Sequence, residues 1–112
     1  YYELQRLPLA ERNLRLAEAH DLIAKALSLA PEDPFIMDSM GWVLYRQGKL
    51  PDALRTLENA YRIKADPEIA AHLGEVLWAM NRKDEARRIL SEAAKANPDN
   101  EVLAGTIKKL LP

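Results

Sequence analysis

The sequence predicts an all-α solenoid of stacked helix hairpins, closed by a C-terminal capping helix, and three observations lead there. The composition favours helix: Leu (18) and Ala (17) make up almost a third of the 112 residues, while Thr and the other β-branched residues are scarce. Pro31, Pro34, Pro51, Pro67 and Pro98 fall between apolar-periodic stretches of roughly 12 to 15 residues, near the ordinary length of a helix. The chain also matches itself at a fixed offset. At 33 residues Gly41 meets Gly74, Val43 meets Val76, Leu44 meets Leu77, Ala53 meets Ala86, Leu57 meets Leu90 and Ala60 meets Ala93. The same offset brings Tyr45 to Trp78 and Pro34 to Pro67, and at 34 residues Ala19, Ile23 and Ala26 meet Ala53, Leu57 and Ala60. A period of this length with two helices per unit marks a repeat architecture.

The elements follow in order. A first helix, disturbed by Pro8, is expected over about 2–11, and further helices over about 14–29, 35–47, 51–63, 68–80, 84–96 and 100–111. Asp66-Pro67 and Asp99-Asn100 read as helix starts, each followed by an acid, Glu68 or Glu101, that suits the positive end of a helix. Gly48 ends one helix in the left-handed conformation, and Asn81, the commonest substitute for glycine there, ends another. Gly41 and Gly74 let the two helices of a hairpin approach closely; Ala53, Ala60, Ala86 and Ala93 do the same from the second helix. Leu44, Leu57, Leu77 and Leu90 fill the space between. Asp21/Lys25, Glu58/Arg62 and Asp84/Arg88 are expected as i,i+4 ion pairs on exposed faces. The units are a partial first repeat over 1–33 (mainly its second helix), whole units over 34–66 and 67–100, and a capping helix over 101–112 with Lys108 and Lys109 near its end. An incomplete first hairpin leaves an apolar side open, through which the chain could pair with itself.

Composition removes several function classes. A net charge of -1, from 16 Lys+Arg against 17 Asp+Glu, gives no electrostatic basis for nucleic-acid binding. The longest apolar run, Val76 to Met80, is far too short to insert in a membrane. No cysteine is present, so there is no disulfide frame, thiolate nucleophile or thiolate zinc site. A start at Tyr1 without Met or a basic leader reads as a processed chain or a fragment. Glu68, His72 and Glu75 share one helical face, yet nothing on a neighbouring helix completes a metal site, and His20 lies on a helix of the other type. Ser28, Ser39 and Ser91 have no nucleophile-elbow context, and no glycine loop suits a phosphate. The expectation is a protein without metal, cofactor or catalytic activity.

With those residues in place, the segment 34–66 resembles a tetratricopeptide repeat: Met40-Gly41, Gly48, Ala53, Leu57 and Ala60. The segment 67–100 repeats it with Leu73-Gly74, Asn81, Ala86, Leu90, Ala93 and Pro98. The resemblance implies that the first helix of each hairpin lines a concave wall that binds a peptide or a partner's helix. The candidates on that wall are Phe35, Asp38, Trp42, Tyr45 and Arg46 from one helix, and Glu68, Ala71, His72, Glu75 and Trp78 from the next. Trp42, Tyr45 and Trp78 would form an aromatic strip, and Asp38, Glu68 and Glu75 an acidic one; packing between hairpins is the alternative role of Tyr45 and Trp78. The clamp that grips chaperone carboxyl termini in one version of the fold uses Lys, Arg and Asn. Here the matching places hold Asp38, Trp42, Ala71 and Glu75, which favours an apolar or basic partner segment. The outer helices, with Arg55, Arg62, Arg87 and Arg88, are the other available surface.

Two longer stretches, Asp33 to Arg46 and Asp66 to Trp78, are similar to the C-terminal repeats of tetratricopeptide lipoproteins of proteobacterial outer membranes. That resemblance implies a periplasmic scaffold attached to the outer membrane through the rest of the protein, with an adaptor for a carboxyl-terminal processing protease among its relatives. The alternatives are a cytoplasmic scaffold, and a structural cap or self-association module of a longer array with binding elsewhere.

Overall fold

The computed structural model describes residues 8–111, and among these the regular elements are six α-helices without a strand. They are α1 (Leu9–Leu29), α2 (Pro34–Arg46), α3 (Leu50–Ile63), α4 (Pro67–Ala79), α5 (Lys83–Ala96) and α6 (Glu101–Leu110). The pairs α2/α3 and α4/α5 are antiparallel hairpins; α1 packs on α2, α3 on α4, and α6 on α4 more than on α5. The all-α hairpin solenoid is therefore the fold of the chain.

Helices α2, α4 and α6 begin on a side-chain cap, and α2 and α4 end in a left-handed turn. Asp33 accepts from the N–H groups of Phe35 (2.9 Å) and Ile36 (3.2 Å), and Asp66 accepts from Glu68 (2.9 Å) and Ile69 (3.2 Å). Pro34 and Pro67 follow directly, where a missing N–H loses no helical bond. Asn100 caps α6 through Leu103 N–H at 2.9 Å. At the other ends, Gly48 (φ 81°) and Asn81 (φ 62°) turn the chain left-handed. Lys49 N–H then reaches Leu44 C=O and Gly48 N–H reaches Tyr45 C=O, while Arg82 reaches Leu77 and Asn81 reaches Trp78, at 2.9–3.0 Å. This is the same paired closure of orphan carbonyls in both hairpins.

The sequence-based break between residues 11 and 14 does not occur: α1 runs without interruption for 21 residues from Leu9. The reason lies in the repeat itself. Where the later units carry Gly48 and Asn81, this one carries Leu14, which has no easy access to positive φ, so the helix continues. Pro8 stands just ahead of the first turn and breaks nothing. The rest of the helix expected over 2–11 lies outside the described residues. One face of α1 is left open, with Leu14, Leu22 and Leu29 exposed, while Ile23 and Ala24 pack on the next hairpin. The expected charge pairs shift as well. Asp84 pairs with Arg87, Arg88 lies 3.8 Å from Glu92, and Arg62 donates to Asn59 rather than to Glu58.

Tight hairpin closure depends on a backbone without a side chain. A Cβ on Gly41 would stand 2.5 Å from Leu57 Cγ, and one on Gly74 would stand 2.6 Å from Leu90 Cδ2. Both leucines are wholly buried, as are Ala53, Ala60 and Ala86. Around them run two apolar clusters: Met40, Leu44, Leu54, Leu57, Leu73 and Leu77 in the first, and Ala70, Ala71, Leu90, Ala93 and Leu103 in the second, with Tyr61 and Ile89 touching both. Leu57 and Leu90 are fully buried and would have to shift to admit a methyl, so Gly41→Ala and Gly74→Ala should each destabilise by about 1–3 kcal/mol. Urea denaturation read by circular dichroism checks this; an unchanged midpoint would mean the hairpins open without cost.

Candidate functional site

The inner wall is built by the first helices of the hairpins together with α6. On α2, Asp38, Trp42 and Tyr45 follow one another at helical spacing; on α4, Glu68, His72 and Glu75 do the same. His72 Nδ1–H donates to Asp38 Oδ1 at 2.7 Å, across from one hairpin to the next. That bond fixes the ring so that Nε2 is the remaining face of the imidazole. The His72 ring lies 4.4 Å from the Trp42 ring, and Trp42 lies 5.0 Å from Tyr45. One helix further along, Lys109 of α6 donates to Glu75 Oε1, and Glu75 is 8% exposed. Burial, and secondarily the Glu75 carboxylate, pushes the Tyr45 phenol above its ordinary value.

Asp38, Trp42, Tyr45, His72 and Glu75 are thus one contiguous group. In the acidic strip expected from the sequence, Asp38 is hydrogen-bonded by His72 and Glu75 pairs with Lys109, while Glu68 is exposed. The aromatic strip is interrupted. Trp78, half-buried, packs on the first apolar cluster between Lys83 (5.0 Å) and Arg87 (5.4 Å) of α5, away from Trp42. Tyr45 packs on the same cluster, so the alternative packing role applies to both residues. Phe35 is exposed at the start of α2 with the Lys64 ammonium 5.4 Å above its ring, and Arg46 is half-buried in the last turn. Ala71 is not part of an open wall: it lies buried with Leu103 under α6. On the outer helices Arg55, Arg87 and Arg88 are each paired with an acid of their own helix.

The capping helix was expected from the sequence, but its share in the wall was not. Glu101, Val102, Gly105, Thr106 and Lys109 join Trp42, His72 and Glu75 around an open depression of about 290 Å³. A signal for this did exist: at an offset of 34, Asp38 meets His72 and Glu75 meets Lys109, an acid facing a base each time. Among the described residues no three His, Cys, Asp or Glu side chains converge on a metal position, and no helix is long and apolar enough to cross a membrane.

The tetratricopeptide repeat family model matches residues 44–110, more than half of the chain. The chain belongs to the tetratricopeptide repeat family. A TPR repeat-containing protein of Pseudomonas aeruginosa is 60% identical over 52 residues, which are 46% of this chain and 9% of that protein's length. The tetratricopeptide fold also extends to the part of the chain that the family model leaves out. The crystal structure of a thermophilic TPR protein of Thermus thermophilus superposes with a TM-score of 0.86 at 22% identity, covering 96% of this chain and 56% of that one. Tetratricopeptide repeats generally mediate protein–protein interaction, typically as scaffolds without catalysis of their own.

The Lys109–Glu75 contact ties the last tetratricopeptide helix to the wall, with one partner buried and the other two-thirds exposed. Lys109→Met should leave the Glu75 carboxylate buried without its cation and cost about 1–2 kcal/mol. Amide exchange in α6 should accelerate ahead of that in α4. Equal exchange rates in the variant and the parent would show that the pair does not hold the helix.

Proposed function

We propose that this chain is a non-catalytic interaction scaffold that holds a segment of a protein partner on its concave wall, anchored at Trp42. The observation that carries this reading is the position of Trp42: half-buried, braced between Tyr45 and His72, at the edge of the depression walled by α6. A rigid aromatic at the side of a concavity is the kind of group that contributes most to partner affinity. Phe35, Arg46 and Glu68 flank it along the wall, Asp38, His72, Tyr45 and Glu75 surround it, and Trp78 takes the packing role on the first apolar cluster. The likeness of residues 33–46 and 66–78 to outer-membrane lipoprotein repeats favours the periplasm over the cytoplasm, and an adaptor role towards a processing protease. The 52-residue identity with the Pseudomonas aeruginosa protein is in keeping with a proteobacterial family.

Trp42→Ala should keep the helical circular-dichroism signal and weaken partner capture from periplasmic extract by about ten-fold or more, the scale of an aromatic anchor. Equal retention by parent and variant would overturn the groove assignment.

A second reading, self-association or stacking through α1, is favoured by one observation, the exposed row Leu14, Leu22 and Leu29. It expects a weight-average mass in sedimentation equilibrium that rises with concentration and reverts to monomer in Leu22→Lys/Leu29→Lys. A monomer mass at every concentration would dispose of it.

A further inference from the structure

The four glycines do not all have the same reason to be there. Gly41 and Gly74 are required by the leucines that face them, and Gly48 by its positive φ. Gly105 sits in the middle of the ten-residue α6, and a Cβ placed on it would meet none of the described residues within 4 Å. Glycine is the poorest helix former after proline, so this one weakens a short helix without any packing reason inside the chain. Its helical neighbours Glu101, Val102 and Lys109, at i−4, i−3 and i+4, all line the depression shared with Trp42 and His72, so position 105 faces that depression. The absence of a side chain keeps the mouth of the cleft open between α6 and α2.

The chemistry around the opening is specific. Val102 is 44% exposed, and with Trp42 it gives the cleft an apolar side. Its lining carries the carboxylates of Glu75 and Glu101 against the ammonium of Lys109, which Glu75 already holds. Glu101 is exposed in that lining, and Glu68 is exposed one turn before the lining residue His72, on the same face of α4. About 290 Å³ is small for a metabolite site and suits the insertion of a side chain or two from a peptide.

We infer that the α2–α4–α6 cleft is a side-chain socket: it takes a bulky apolar residue of a partner segment past Gly105, and its acidic rim selects a Lys or Arg beside that residue. The inference rests on the concave-face reading and adds to it the far wall, the entry point and the chemistry of the occupant. An acidic segment would meet Glu68 and Glu101 and be disfavoured. Gly105→Leu fills the socket from a position where an added Cβ meets none of the described residues within 4 Å, and it replaces a poor helix former with a good one.

The test is panning of a random dodecapeptide phage library on the immobilised chain, then anisotropy titration of the enriched peptides with four proteins: parent, Gly105→Leu, Glu68→Lys/Glu101→Lys and Trp42→Ala. The expected consensus pairs an aliphatic or aromatic residue with Lys or Arg. Affinity should fall about ten-fold or more in Gly105→Leu, whose melting temperature should not be lower than the parent's, and about five-fold or more in the rim reversal. Binding lost in Trp42→Ala but unchanged in Gly105→Leu overturns the socket and leaves the groove standing. Binding unchanged in both, or an acidic consensus that tolerates Trp42→Ala, overturns the socket and the groove together.

Discussion

The close approach of a bare backbone to a buried leucine sets the spacing of the whole solenoid. Gly41 against Leu57 and Gly74 against Leu90 are the same contact 33 residues apart, and each fixes the distance and rotation between the two helices of its hairpin. Because Leu57 and Leu90 occupy the place a Cβ would take, the alanines one turn away can pack just as tightly, and the second helix has one available register. The left-handed closures at Gly48 and Asn81 then need only return the chain along a path the packing has already defined. Tyr61 and Ile89 extend the arrangement from one hairpin to the next by touching both apolar clusters.

On that frame the inner wall is fastened by polar pairs rather than by more apolar surface. Asp38 to His72 and Glu75 to Lys109 both span 34 residues, joining α2 to α4 and α4 to α6. Such pairs add little net stability, since desolvation offsets much of the attraction, but an unpaired carboxylate at the burial of Glu75 would be costly. Their effect is to fix the relative position of three helices around Trp42 and to give the Asp38 and Glu75 carboxylates a partner each. What the pairs leave open on this wall is an aromatic edge, a small apolar depression and the exposed carboxylate of Glu101.

The first unit shows what happens when one part of the pattern is missing. It keeps Ala19, Ile23 and Ala26 in repeat register, yet has Leu14 where the later units have a residue that accepts positive φ. Without the turn there is one long helix, and without a facing first helix among the described residues its outer leucines remain in solvent.

Repetition made most of the fold legible in the sequence. Glycine, alanine and leucine at fixed offsets state a local steric requirement, and Asp33, Asp66, Gly48 and Asn81 state where helices start and stop; each acts within a few residues or one hairpin, so the linear pattern contains it. The wall residues from Asp38 to Glu75 were legible for the same reason. What only the tertiary structure decided was how the last helix sits. By resting on α4 more than on α5, α6 brings Lys109 to Glu75, buries Ala71 and turns Gly105 towards Trp42. Trp42 and Trp78, close in type and in repeat position, were likewise separated into a residue lining the cleft and a packing residue beside the α5 cations. These outcomes depend on the packing angle of one helix against two others, which is set by the summed shape of the side chains between them and leaves no period in the sequence.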